Sequence, residues 1–279
     1  MDSNRKKILS WIGIGILVII IVALRIAKSK QVVYGKEPII RVYIDTDKRV
    51  LEVPMEEYIA AVVGGEMKNY WPHEALAAQA IVARTFALKV LEEKPGAGPM
   101  GSDIQAGFKA AQEYKPENVN QAIRKAVKVT RGKVLTEEGN LINAWFHSNA
   151  GGKTSLAKEG LNFAQEEPSY TIVVDSPDDT EDVPISDRRW KAEFSTKEIE
   201  TALSKIRPNI KGIEGITIVE KGPSGRAQTV AIHHSGKTST IGGNDFRVAL
   251  DPMRMRSNLL TKLEFKDGRV FMEGKGFGH

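Results

Sequence analysis

Residues 54–67 read PMEEYIAAVVGGEM, and this stretch decides the fold. A proline suits the first turn of a helix, and the apolar residues that follow are typical of a helix packed on a core. The adjacent Gly64 and Gly65 destabilise a helix interior, so the stretch predicts a short helix that ends before them. Glu66 then lies just beyond the break, in the connection to a second helix.

That second helix is predicted to start near Pro72, with Glu74 in the first turn, where a negative charge is favourable. Its apolar face has the spacing of a buried helix face and consists of Leu76, Ala80, Ala83, Ala87 and Leu91. Before the first helix, apolar residues alternate with polar ones in 40–44 and recur in 50–53, which predicts a β-hairpin.

The rest of the chain mixes the same two patterns. Helices are expected at 118–129, from a Ser195/Glu198 capping box to about 206, and from Asn244, as the cap, to 250. Hairpins are expected where strand patterns flank turn residues, at 133–136 with 141–147, 216–220 with 229–233, and 263–265 with 270–272. The fold class expected is α+β, with helices and antiparallel sheet in one domain over 38–279.

The composition excludes several classes of function. The chain has 279 residues and a formal net charge of +5, but its basic residues are scattered and not interleaved with aromatic ones, so no nucleic-acid partner is expected. A basic surface also suits an anionic cell wall. The absence of cysteine excludes disulfides, thiolate zinc sites and cysteine nucleophiles. We expect no cofactor and no metal.

The N-terminus has the pattern of a membrane anchor, because residues 8–24 carry no charge. A helix of that length spans ~26 Å, and flanking basic side chains can reach the edges of a ~30 Å hydrocarbon core. A cleaved signal peptide or a buried helix are the alternatives, but no A-x-A site follows the run. We expect a cytoplasmic tail at 1–7, a transmembrane anchor at 8–27, a stem at 28–37 and an extracytoplasmic domain beyond it.

Glu66 is the best candidate for acid catalysis. Glycoside cleavage needs a carboxyl group that stays protonated near neutral pH, so that it can protonate the leaving oxygen. Tyr70 and Trp71 could form an apolar wall that raises the pKa of Glu66 and stacks on sugar rings. A nearby helix N-terminus would oppose that increase, and a solvated loop glutamate is the commoner case.

Two other groups of residues could bind a ligand. Arg84 interrupts an alanine-rich stretch of the second helix that also carries Gln79, so Arg84 is either a ligand clamp or a structural ion pair. The adjacent glycines within 148–152 could turn backbone N–H groups toward a ligand, or form a simple loop. His147 and Ser148 are neighbours on a predicted strand, where successive side chains diverge, so a serine hydrolase pair is not expected.

Several separated motifs, taken in order, resemble a known family. They are VPMEEY (53–58), VGGEM (63–67), EALAAQA (74–80), ART (83–85), TRGKVL (130–135), FHSNAGGKT (146–154) and GKGFGH (274–279). Their order and spacing are similar to those of the sporulation protein D/amidase-enhancer domain family. The resemblance covers roughly 38–279, and several motifs in order are far more specific than any one of them.

The resemblance implies a lytic transglycosylase that cleaves between N-acetylmuramic acid and N-acetylglucosamine in stem-free peptidoglycan glycan strands. It also implies a role in forespore engulfment, at the septum between mother cell and forespore. Glu66 would act first as acid and then as base, while the sugar's own 6-hydroxyl replaces water and leaves a 1,6-anhydro end. The cleft residues implied are Gln79, Arg84, His147, Ser148, Gly151, Gly152 and Tyr170. The partners implied are the sporulation amidase protein P and the membrane protein M.

The same resemblance allows a second reading, a non-catalytic amidase enhancer or wall-binding scaffold in which Glu66 is structural. The sequence also departs from the family pattern, since Lys68, Ala77 and Phe86 replace residues that are frequent there. The lack of cysteine argues against the structural zinc of some relatives. The family pattern continues beyond Gly-His with a glycine-rich segment containing Met-Ser-Gln. The resemblance therefore implies that the domain is either truncated at its C-terminus or has lost part of the site.

Overall fold

The structure is a computed structural model of the chain, and it describes residues 29–31, as backbone only, together with 36–107 and 112–278. The chain divides into two compact units, of which the first ends at Trp145 and the second begins at Phe146. Each unit combines helices with sheet that is mostly antiparallel. The α+β class predicted from the sequence is therefore confirmed.

In the first unit, the elements in chain order are β1 (Ser29–Gln31), β2 (Ile39–Ile44), β3 (Arg49–Pro54), α1 (Met55–Glu66), α2 (His73–Glu93), β4 (Ile104–Gln105), α3 (Gln121–Val129), β5 (Lys133–Glu137) and β6 (Asn140–Leu141). The first predicted hairpin is confirmed, because β2 pairs with β3 with Val42 opposite Leu51. β4 pairs with β2 in parallel, and β5 pairs antiparallel with β1 and β6. Ile40 and Val42 of β2 join the helices in a common buried core.

Helix α1 does not end at the two glycines. It continues through Gly64 and Gly65 to Glu66, so the prediction that Glu66 lies in a connection between helices is wrong. The glycines are needed for packing, because a Cβ on Gly65 would lie 2.7 Å from the backbone O of Glu113. A Cβ on Gly64 would lie 3.0 Å from the backbone O of Lys115. The chain after Glu113 therefore crosses α1 at a distance that only glycine permits.

Helix α2 presents the predicted apolar face to the core. Leu76, Ala80, Ala83 and Ala87 are fully buried, and Leu91 packs against the same core. The helix starts directly after Pro72, as the sequence predicts. The small alanine side chains allow α2 to pack closely against both α1 and α3.

Arg84 lies on α2 and is fully buried. Its Nε and Nη2 donate hydrogen bonds to the two carboxylate oxygens of Glu56 on α1, at 3.0 and 2.7 Å. Its Nη1 donates to the backbone O of Lys133 in β5 at 3.0 Å and to that of Ala80 at 3.3 Å. Of the two roles considered for Arg84, the structure shows the structural ion pair, because the guanidinium is enclosed and joins α1, α2 and β5.

The second predicted hairpin is confirmed only in part. β5 and β6 pair around Glu138 and Gly139, which both have positive φ angles. However, β6 ends at Leu141, and the predicted strand up to His147 is wrong. The boundary between the two units falls within that stretch, so the chain leaves the sheet there. Helix α3 begins a few residues later than predicted, after Asn120, whose side chain caps it.

In the second unit, the elements are α4 (Ala157–Leu161), α5 (Ile185–Arg188), β7 (Arg189–Ser195), α6 (Thr196–Leu203), β8 (Ile213–Lys221), β9 (Ala227–His234), β10 (Lys237–Gly242), α7 (Gly243–Leu250), β11 (Leu260–Lys266) and β12 (Arg269–Lys275). Two antiparallel sheets have the orders β8-β9-β10 and β7-β12-β11. They share a core with α6 and α7 that includes Phe194, Ile199, Leu203, Phe246 and Val270.

Local sequence signals in this unit are mostly confirmed. The Ser195/Glu198 capping box forms, although α6 ends at Leu203. The β11/β12 hairpin turns at Asp267 and Gly268, both with positive φ. The helix predicted to be capped by Asn244 starts instead at Gly243, after Gly242. The sequence analysis also missed β7 and β10, whose partners are set by tertiary pairing.

None of the helices in the described part of the chain is long and apolar enough to cross a membrane. The predicted anchor at 8–27 lies outside the described residues.

We predict that Arg84→Met destabilises the protein by about 3–5 kcal/mol, because it leaves the Glu56 carboxylate nearly buried without its partner. Arg124→Met is the matched control, since Arg124 pairs with the neighbouring Glu57 on the protein surface, where ion pairs contribute about 0–1 kcal/mol. Urea unfolding of both variants and the parent provides the measurement. Similar unfolding midpoints for the two variants would show that the buried pair is not a structural requirement.

Candidate active site

Glu66 is the last residue of α1 and is half-buried. Its Oε1 accepts a hydrogen bond from the backbone N–H of Glu113 at 2.7 Å. The close packing at Gly65 brings this amide within reach, because the Glu113 backbone lies against the glycine. The amide holds one carboxyl oxygen in a fixed direction.

Burial raises the pKa of Glu66 above its ordinary value. The hydrogen bond from the Glu113 amide favours the charged form and opposes this increase, while the Glu113 carboxylate adds to it by repulsion. The net direction is upward. A larger fraction of Glu66 is therefore protonated near neutral pH than for a solvated glutamate, as a general acid requires.

Tyr70 and Trp71 do not form the buried apolar wall that the sequence predicted beside Glu66. They are 75% and 41% exposed. The buried residue is Tyr58, which stacks on Tyr114 with ring centroids 5.8 Å apart. Burial raises the pKa of Tyr58, and the Glu66 charge raises it further, so Tyr58 is a neutral phenol close to the carboxyl group.

The Tyr58 hydroxyl donates a hydrogen bond to Oε1 of Gln112 at 3.1 Å. Gln112 is buried, and its Nε2 has no hydrogen-bond partner within the described residues. Gln79, a residue predicted to bind substrate, is 8% exposed, and within the same residues its Nε2 also lacks a partner. A buried amide without a partner costs about 1–3 kcal/mol, and both of these nitrogens are enclosed by the protein.

In the second unit, the segment from His147 to Gly152 is held by backbone pairing. The N–H groups of Ser148 and Asn149 donate to the backbone O of Phe277, and the Phe277 N–H donates back to Asn149. Gly151 and Gly152 have φ angles of 73° and 98°, a region that favours glycine. The predicted glycine turn is present.

The N–H groups of this turn already have partners. The Asp178 carboxylate accepts hydrogen bonds from Ala150 and from Gly152, the latter at 2.9 Å. Oδ1 of Asn149 accepts the Gly151 N–H at 2.8 Å. The turn therefore binds an internal carboxylate rather than presenting these amides to solvent.

His147 is half-buried at the start of this segment, and Ser148 is exposed. Burial lowers the pKa of His147, the positive charge of Arg226 lowers it further, and Asp178 opposes the change. The imidazole is therefore neutral near pH 7 and can both donate and accept a hydrogen bond. Tyr170, also half-buried, lies in a turn where Thr171 N–H donates to the backbone O of Pro168.

Sequence reasoning missed Tyr58, Gln112, Glu113, Asp178 and Arg226. Tyr58 lies in a motif quoted for the resemblance, but nothing in the sequence distinguishes it from an ordinary core tyrosine. The others come from segments without a recognisable pattern. Within the parts of the chain that the structure describes, no three His, Asp or Glu side chains form a group that could hold a metal ion.

The two units match different family models. Residues 43–136 match the family described as Stage II sporulation protein. The first unit carries a domain of the stage II sporulation protein family. Residues 147–279, which nearly coincide with the second unit, match a family described as a domain of unknown function.

Several relatives resemble a larger part of the chain than the sporulation-family domain alone. An uncharacterized protein of Brachyspira hyodysenteriae is 29% identical over 85% of this chain and 61% of its own length. A protein named stage II sporulation protein D, from Bacillus amyloliquefaciens, is 29% identical over 92% of this chain and 74% of its own length. The amidase enhancer of Bacillus subtilis is 32% identical over 54% of this chain but only 19% of its own length.

We predict that Gly65→Ala in the sporulation-family domain destabilises the protein by about 1–3 kcal/mol, because its Cβ would collide with the Glu113 backbone. Helix propensity would predict the opposite, a gain of about 1 kcal/mol. Gly64→Ala, whose Cβ has more room, should cost less. Urea unfolding gives the stabilities, and the Glu113 amide resonance in NMR spectra reports whether its hydrogen bond to Glu66 survives. A stabilised Gly65→Ala protein would contradict the packing argument.

We also predict that Glu113→Gln lowers the pKa of Glu66, because it removes the repelling carboxylate and keeps the backbone amide. A lower pKa means that less Glu66 is protonated at a given pH, so any rate that needs the acid form declines at a lower pH. Carbon NMR of the glutamate carboxyls during a pH titration measures this pKa directly. Glu57→Gln, on the exposed face of α1, is the control and should leave it unchanged.

Proposed function

We propose that this protein is a peptidoglycan lytic transglycosylase of sporulation, with Glu66 as its single acid and base. The observation that carries the proposal is the environment of Glu66, a half-buried carboxyl with a raised pKa and one oxygen fixed by a backbone amide. The domain around it belongs to the stage II sporulation protein family. A raised pKa suits an acid catalyst, because more of the carboxyl group is protonated near neutral pH.

The proposed reaction needs one carboxyl group. Glu66 gives its proton to the glycosidic oxygen as the bond from that oxygen to C1 of N-acetylmuramic acid breaks. The resulting carboxylate takes the proton of the 6-hydroxyl of the same sugar, and that oxygen bonds to C1 to form the 1,6-anhydro end. Glu66 is protonated again, no water is consumed, and no second carboxylate is required.

We propose further that residues in each unit form hydrogen bonds to the glycan. The unpaired amide groups of Gln79 and Gln112 are candidate donors to sugar hydroxyl or acetamido oxygens. In the second unit, the residues that the resemblance implies as glycan-binding are His147, Ser148, Gly151, Gly152 and Tyr170. Arg84 is left out of this set because its contacts hold the helices together.

The cellular setting is part of the proposal. Relatives named for stage II of sporulation support a role in forespore engulfment. In that role the predicted anchor at 8–27 would hold the chain in the cell membrane with its N-terminus inside. The domain would face the wall at the septum, with the amidase protein P and the membrane protein M as partners.

A second candidate is a non-catalytic enhancer of an amidase. It is favoured by the relative named amidase enhancer, which is 32% identical over 54% of this chain. In this case the same domain would bind the wall or the amidase, and Glu66 would have no chemical role.

We predict that Glu66→Gln reduces cleavage of stem-free glycan strands by about 10²–10⁴-fold, the usual contribution of a general acid. Products are read by mass spectrometry, in which a 1,6-anhydro end is lighter by one water than a reducing end. Glu57→Gln is the control on the same helix and should retain full activity, because that carboxylate is exposed.

Reducing ends from the parent protein would contradict the transglycosylase proposal, and equal activity of Glu66→Gln would contradict the role of Glu66. A parent that releases no fragments but increases the rate of a purified amidase, equally well with Glu66→Gln, would establish the enhancer instead.

A further inference from the structure

We propose that Asp178 and Arg226 are positioning residues that hold the segment from His147 to Lys153 in the shape that binds the glycan strand. This inference rests on the proposed function for the nature of the ligand. It concerns two residues of the second unit that the family resemblance did not suggest.

Within the segment, Oδ1 of Asn149 accepts the Gly151 N–H, while the N–H groups of Ala150 and Gly152 are bound by a residue outside it. Gly151 and Gly152 adopt positive φ angles. A Cβ on Gly151 would lie 2.9 Å from the Leu259 side chain and 3.0 Å from that of Lys275, so the backbone lies directly against these two side chains. The peptide groups of such a turn must be fixed by neighbours on both sides.

Asp178 fixes the N–H side. Its carboxylate accepts the N–H groups of Ala150 and Gly152, and its backbone O accepts Nδ2 of Asn149 at 2.9 Å. The position of Asp178 is itself anchored through Asp179, whose carboxylate pairs with Arg189 in β7 and with Lys275 in β12. The sheet therefore sets where this carboxylate meets the turn.

Arg226 fixes the C=O side. Its Nη2 donates to the backbone O of Ala150 at 2.8 Å, and its Nη1 donates to that of Lys153 at 3.0 Å. Nη1 also donates to Oγ of Ser224 at 2.9 Å. The Ser224 N–H in turn donates to the buried carboxylate of Glu159, which fixes the position of Ser224 beside Arg226. We call Asp178 and Arg226 together the clamp.

Burying the charge of Arg226 is energetically unfavourable, which suggests that this residue has a role other than stabilising the fold. Arg226 is fully buried, burial lowers its pKa, and within the described residues its Nε has no partner. Buried charges are often no more stabilising than apolar side chains of similar size, and a better-attested use is to select one conformation. Here the selected conformation is that of the turn next to His147 and Ser148.

The test compares Asp178→Asn and Arg226→Lys with Leu203→Ala. The asparagine offers one carbonyl oxygen where the aspartate offers two, and the lysine cannot reproduce the planar fork on two carbonyls. Leu203→Ala removes a buried side chain from α6 and controls for a general loss of stability. All three are made in the full-length Glu66→Gln protein, so that stem-free glycan strands bind without being cleaved.

We expect both clamp variants to weaken the glycan Kd by about tenfold or more, the effect of losing a hydrogen bond to a charged group. Leu203→Ala should bind within about twofold of the Glu66→Gln parent. Hydrogen exchange at Ala150 and Gly152 should become faster in Asp178→Asn but not in Leu203→Ala, when the three are compared under conditions where each is folded.

Faster exchange in the clamp variants with an unchanged Kd would overturn the inference, as would equal weakening by Leu203→Ala. If the parent binds no glycan, the ligand class is wrong and the inference fails with it. Cleavage that persists in Glu66→Gln would instead refute the proposed catalysis, and the clamp would still be tested with Kd values measured at a temperature where turnover is slow.

Discussion

The ion pair between the fully buried Arg84 and the nearly buried Glu56 is the interaction on which the first unit depends. It joins α1 to α2, and through the backbone of Lys133 it also joins both helices to β5. Removing two charges from water is costly, and only near-ideal geometry with additional hydrogen bonds offsets the cost. Arg84 meets that condition in one relative placement of the three elements, so the pair selects that placement. Glu66, at the far end of α1, takes its position from it.

The environment of Glu66 depends on two glycines of α1, because glycine has no side chain. Gly64 and Gly65 weaken α1 as a helix, yet their bare backbone lets the chain after Glu113 pack directly on it. That contact buries the carboxyl group, which raises its pKa, and supplies the amide that orients one oxygen. The close packing and the raised pKa of Glu66 therefore have the same origin, and a substitution that improves the helix would disturb both.

The parts of the fold that follow from local physics could be predicted from the sequence. The Asp267-Gly268 turn and the Ser195/Glu198 capping box form as expected, because the residues that define them are neighbours in the chain. The predictions that failed were decided by distant contacts. The glycines did not end α1. The alternating pattern of side chains up to His147 did not extend β6 beyond Leu141. For the site, Glu66 could be chosen from its motif, but its partner amide belongs to a residue 47 positions away.

Each unit contains a fully buried guanidinium group, whose charge and N–H groups need partners inside the protein. Arg84 finds a carboxylate and two carbonyl groups, so its charge is neutralised and its effect is to fix helices. Arg226 donates to two carbonyl groups of one turn and to a serine hydroxyl, so its charge is balanced only by carboxylates farther away. Burial lowers the pKa of His147, and the positive charge of Arg226 lowers it further. Arg226 therefore fixes the backbone beside His147 and adds to the effect of burial, which keeps the imidazole uncharged.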